Sequence, residues 1–141
     1  MKKLLPLLAA TGLIPSGFVG AQGPGTGFTF YSDICLHRET GDLLGTRIGV
    51  MKLRDATYIF YQIAEGEFEQ PQIIKLTKDG LAGSKLSFPV ADPDRPSTFV
   101  GTIGERAIEG HFTNGAVGPK GTGTYDLGRV ELPEANFPAC R

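Results

Sequence analysis

The chain contains no tryptophan, and only two histidines, two cysteines and two methionines among its 141 residues. The two histidines, His37 and His111, fall on separate strand candidates, opposite the apolar set of each. Structural zinc takes four ligands, so this pair is an incomplete set, and no metal is assigned. There is no Gly-x-Ser-x-Gly elbow to carry a serine nucleophile. Cys-x-x-Cys is absent as well, which removes a dithiol redox centre. No polybasic patch accompanies the formal net charge of −1. Without clustered lysine and arginine to neutralise phosphates, nucleic acid and anionic membranes are excluded as main partners.

What is present begins at the amino terminus. Lys2 and Lys3 form a basic start, Leu4 to Ala10 an apolar stretch, and Val19-Gly20-Ala21 a small-residue end. That is the layout of a cleavable signal peptide, with the cut expected between Ala21 and Gln22. An uncleaved anchor would need an unbroken span, and Pro6, Gly12, Pro15, Gly17 and Gly20 interrupt this one. Residues 1–21 are therefore read as the leader and residues 22–141 as one exported domain, with no membrane anchoring after cleavage. The compartment is the periplasm or the extracellular space.

Cys35 and Cys140 both fall in the exported part, near its two ends. In an oxidising compartment an even pair reads as one disulfide. Closing a loop of about 100 residues stabilises a domain by roughly 4–5 kcal/mol in the chain-entropy treatment. The bond is expected to staple the carboxyl-terminal tail to the first strand.

Helical periodicity is hard to find after residue 25, while short alternating runs bounded by turn residues recur. Strand candidates start with residues 28–37, where Phe28, Phe30, Ile34 and Leu36 are assigned to the core face and Tyr31, Asp33, Cys35 and His37 to the other. Residues 43–53 and 57–64 follow, joined by a tight turn at Arg54-Asp55. Further strands are read at 72–77, ending in Lys78-Asp79-Gly80, and around Leu86, Phe88 and Val90. Phe99, Gly101 and Ile103 then mirror Phe112, Gly110 and Ile108 about a turn at Glu105-Arg106. A glycine between two core residues on each strand suits a strongly bent sheet. A last strand lies within residues 122–132. About eight strands in chain order predict an all-β, antiparallel up-and-down barrel, with a two-sheet sandwich as the alternative.

The run from Phe99 to Phe112, followed by Gly121-Thr-Gly-Thr-Tyr-Asp-Leu-Gly-Arg-Val130, resembles small secreted calycin-like barrels. It is also similar to the β-rich modules that precede the catalytic domain in some exported bacterial serine hydrolases. Their ending commonly reads Gly-Thr-Trp-x-Leu-x-Arg, and Tyr125 stands where that tryptophan stands. The resemblance implies barrel architecture. Lipocalins and avidins proper use tryptophans that this chain lacks.

Three other constellations read as structural. Glu65, Glu67 and Glu69 alternate along one face and make a solvated strand edge. Ser84, between Gly83 and Lys85, is a turn residue. The loop Gly115 to Thr122 has a lysine among glycines, but no helix follows to receive a phosphate. The aromatics Tyr58, Phe60, Phe99, Phe112 and Tyr125 remain, as a filled core or as the lining of a site for one small apolar ligand. The functional expectation is an exported, non-enzymatic binding module without cofactor. It would hold a small apolar ligand, or present its loops to another macromolecule such as an exported protein partner. The alternative is an inhibitor or partner protein of an exported enzyme, with residues 92–96 or 113–121 as the contact.

Overall fold

The structure, a computed structural model, describes residues 27–77, 79–91, 96–115, 123–131 and 136–141. The expected leader lies outside the described residues. Among the described residues, ten strands make one antiparallel sheet. They are β1 (Gly27–Ser32), β2 (Cys35–Leu36), β3 (Leu43–Lys52), β4 (Thr57–Phe68), β5 (Gln72–Lys75), β6 (Leu81–Ala82), β7 (Lys85–Val90), β8 (Ser97–Ile103), β9 (Ala107–Phe112) and β10 (Tyr125–Val130). Their order is β5-β4-β3-β1-β10-β9-β8-β7-β6, with β2 paired to β3. β2 continues β1 along the same partner, since Ser32 faces Arg47 and Cys35 faces Leu44. The order is therefore the up-and-down one, with the first and last strands meeting as β1 and β10.

Local chemistry sets the hairpins. β3 and β4 are joined through Arg54-Asp55, where Leu53 N–H donates to Ala56 O. β8 and β9 turn at Glu105-Arg106, closed by Gly104 N–H on Ala107 O. Gly101 lies directly opposite Gly110 in this hairpin. A Cβ on Gly110 would stand 2.5 Å from Phe99 Cζ, and one on Gly101 would run into the Glu109 carbonyl. The two glycines thus leave the room that the Phe99 ring fills.

The sheet curls until its inner face meets itself. Tyr61 of β4 has its ring 6.1 Å from Phe88 of β7 and 5.9 Å from Phe112 of β9. Alternation supplies this interior: Ile48 and Val50 from β3, Ile59 and Tyr61 from β4, Leu86 and Phe88 from β7, Ile108 from β9 and Leu127 from β10. Burial of these side chains is the main stabilising term. One curled sheet, and not a sandwich of two, encloses the core.

The seam of the barrel lies between β5 and β7. Ile103 N–H donates to Ser84 O, so by ladder alternation Leu86, Phe88 and Val90 bond to β8. On the other edge Ser87 N–H donates to Gly80 O, which leaves Pro89 at the open edge. Proline has no N–H to offer there. The carboxamide of Gln72 bridges the two edges in place of backbone pairing, bonding to Ala91.

The tail adds one more element. Leu36 N–H donates to Pro138 O, and Cys140 N–H to Leu36 O, as Ala139 forms a parallel bridge to Leu36. The Cys35–Cys140 disulfide fixes this contact across a sequence separation of 105. A bond of this kind persists in a non-reducing compartment. No helix among the described residues is long and apolar enough to cross a membrane.

Candidate functional site

The five aromatics singled out in the sequence divide into two groups. Phe99, Phe112 and Tyr125 point into the barrel, where they pack edge to face. Centroids lie 5.4 Å apart for Phe99 and Phe112, 5.2 Å for Phe112 and Tyr125, and 6.2 Å for Phe99 and Tyr125. Phe88 stacks on Phe99 at 5.0 Å. These are the separations of aromatic rings in contact, and the rings fill one another's space. Burial pushes the Tyr125 hydroxyl up to about 12, with the charges of Asp33 and Glu65 adding to the shift. It stays protonated across the physiological range. Tyr31, whose hydroxyl donates to Gly104 O at 2.9 Å, is also raised by burial, against the opposing charge of Arg129.

Tyr58 and Phe60 lie on the other side of the sheet. Ile59 and Tyr61 are the β4 residues buried in the barrel interior, so Tyr58 and Phe60 face outward. β1 behaves likewise and reverses the expected assignment. Tyr31 is buried, whereas Phe28 is 51% exposed. The physical reason is pairing register: Tyr31 stands opposite the core residue Ile48, and Phe28 opposite Met51. A strand alternates faces at every residue, so burying Tyr31 forces Phe28 and Phe30 out.

The result is a two-row apolar surface across four strands. Phe30, Gly49, Phe60 and Ile73 face one another along one row, and Phe28, Met51, Tyr58 and Lys75 along the next. Gly49 lets the rings settle, since a Cβ there would stand 2.8 Å from both Phe28 and Phe30. Phe28 and Phe30 then pack at 4.2 Å, and Phe30 meets Phe60 edge-on at 5.8 Å. Between them lies a hollow of about 220 Å³ lined by Phe28, Met51, Tyr58, Ile59, Phe60 and Ile73. Ile73 at its edge is 69% exposed. Exposed apolar residues scattered singly are ordinary; here they adjoin one another around a single hollow.

The same face is covered further along the strands. Ile34 and Ala64 continue the outward rows and are fully buried. There Phe137 of the tail packs on Phe68 at 5.9 Å, and the Arg47 guanidinium lies 4.7 Å over the Phe68 ring. One end of the apolar face is thus closed by the chain itself, and the Phe28–Ile73 end is open.

The remaining candidates are dispersed. His111 is exposed on β9, and His37 sits in the β2–β3 turn with Nδ1 3.2 Å from Thr40 Oγ1. Glu65, Glu67 and Glu69 are exposed at the far end of β4. Cys35 and Cys140 form the disulfide. Of the two candidate contact loops, residues 92–95 and 116–121 lie outside the described residues. Sequence reading missed Phe28, Phe30, Met51 and Ile73 as surface residues. The signal that could have found them is Gly49, a strand glycine set between Ile48 and Val50, which permits close approach from one side of the sheet.

Comparison of the chain with protein-family models, with curated proteins and with solved structures finds no match.

Proposed function

We propose that the chain is exported with loss of residues 1–21 and works as a non-enzymatic binding module that grips an apolar group of another macromolecule on the outer face of β1, β3, β4 and β5. The observation that carries this reading is the open apolar hollow beside Ile73. Pockets for small-molecule ligands run to about 300–1,000 Å³. At about 220 Å³ this one is smaller, though an engineered apolar cavity of about 150 Å³ already takes benzene. The size suits one aromatic or branched side chain, the anchor that dominates many protein interfaces. Interior rings that touch one another leave the outer face as the better site. Export is supported by the basic-then-apolar amino terminus and by the disulfide.

The test is titration of the disulfide-bonded protein with N-acetyl-phenylalaninamide, followed by amide NMR shifts. Shifts centred on Met51, Tyr58 and Ile73, lost in Ile73→Asp, are the expected result. Because Ile73 is so exposed, that substitution should change stability by no more than about 0.5 kcal/mol. Shifts centred on Phe99, Phe112 and Tyr125, or none at millimolar ligand, would overturn the proposal.

A further inference from the structure

The outer apolar face carries charge of one sign. Along the rows that hold Phe28, Phe30, Met51, Tyr58, Phe60 and Ile73, the ionisable groups are Lys75 and, one row on, Arg47. No aspartate or glutamate stands in these rows, although the whole chain has a net charge of −1. Glu65 and Glu67 of β4, and Glu69 just after it, lie at the far end of that strand. Arg47 is engaged with the Phe68 ring. Lys75 is exposed and, among the described residues, makes no hydrogen bond or ion pair. It lies directly across the ladder from Tyr58, which lines the hollow. Directly opposed residues have their Cβ atoms about 5 Å apart, so an ammonium group and a phenol flank one side of the apolar hollow.

On the reading that this face is the contact site, we infer that the partner is a peptide segment with an aromatic or branched side chain for the hollow and a carboxylate beside it for Lys75. Such a pair meets both the shape and the sign of the surface. A membrane is the poorer occupant, because the apolar surface does not continue around the barrel. Lys85, Glu109, His111 and Asp126 are exposed on the outward faces of β7, β9 and β10, where a spanning barrel carries a continuous apolar band.

The experiment compares three peptides, acetyl-Glu-Phe-Glu-amide and its Gln-Phe-Gln and Lys-Phe-Lys analogues, by amide shift titration at low salt. An exposed ion pair supports a preference of about threefold. The acidic peptide should bind about that much tighter than the neutral one, and the basic one more weakly. Lys75→Glu should reverse the order, and Lys75→Gln should abolish it. Equal binding of all three, or an order that survives Lys75→Glu, overturns the carboxylate inference while the contact face stands. Failure of all three at millimolar concentration removes the contact face itself. Co-sedimentation with phosphatidylglycerol vesicles that Lys75→Glu abolishes would overturn the peptide in favour of a lipid surface.

Discussion

The carboxamide of Gln72 holds both backbone groups of Ala91, donating from Nε2 to the carbonyl at 2.8 Å and accepting the amide N–H at Oε1 at 2.9 Å. One side chain thereby does at the seam what a ladder pair does elsewhere. Each such bond contributes a net of about 0.5–1.5 kcal/mol. Gln72→Ala should lower the unfolding free energy by about 1–2 kcal/mol and speed hydrogen exchange of the β5 amides well above that of β3. Unchanged exchange in residues 72–76 would show that the seam is held some other way.

Gly110→Ala should destabilise by about 1–3 kcal/mol, the usual range for an overpacked core. The added methyl meets Phe99 Cζ at 2.5 Å and the Val100 carbonyl at 2.7 Å. Urea denaturation reads the loss. A smaller ring neighbour should recover part of it, so Phe99→Leu with Gly110→Ala should be less destabilised than the sum of the two single changes.

Replacing both Cys35 and Cys140 with serine should cost about 2–5 kcal/mol. The tail would then be held mainly by the backbone bonds to Leu36 and the Phe137 contact with Phe68. Limited proteolysis should cut near residue 137 in this variant and spare the oxidised protein. A hydrophobic dye should also bind more strongly, as Phe68 loses its cover by Phe137.

Alkaline pH should weaken the fold in a definite window. An unfolded tyrosine loses its proton near 10, whereas Tyr125 in the fold holds it to about 12. Between those values the unfolded chain binds fewer protons than the native one, so stability falls as pH rises. The contribution is whole below about pH 10 and is lost on the way to about 12. Tyr31, also raised, acts in the same direction. Thermal melts from pH 8 to 11 should decline, and Tyr125→Phe with Tyr31→Phe should flatten the decline.

The strand series, the two tight hairpins and the disulfide could be read from residues alone, because each has a local cause. Arg54-Asp55 and Glu105-Arg106 interrupt alternating runs, and the paired glycines at 101 and 110 stand symmetrically about their turn. The faces of β1 and β4 were not legible in the same way. Phe28 and Phe30 alternate with Tyr31, and Tyr58 and Phe60 with Ile59 and Tyr61, so both faces are apolar and a period of two does not choose between them. Register against Ile48 decides, and register is a tertiary property. The split between β1 and β2 was equally hidden. There Thr46 N–H donates to Asp33 Oδ1 at 2.7 Å and Asp33 N–H to Thr46 O at 3.1 Å, so a side chain replaces part of the ladder. The outer apolar face, which depends on which rings face out, was lost with the register.

The covalent tie between Cys35 and Cys140 also sets what happens when the chain is pulled by its ends. Tension entering before Gly27 runs along β1 to Cys35, crosses the sulfur bridge to Cys140 and leaves at Arg141. Residues 36–139 are outside that path. Stretching can peel β1 from its neighbours, β3 and β10, but cannot extend the rest until the bridge is reduced. A tether at the amino terminus and a load at the carboxyl terminus would therefore leave most of the barrel, with β3, β4 and β5 of the outer apolar face, mechanically slack.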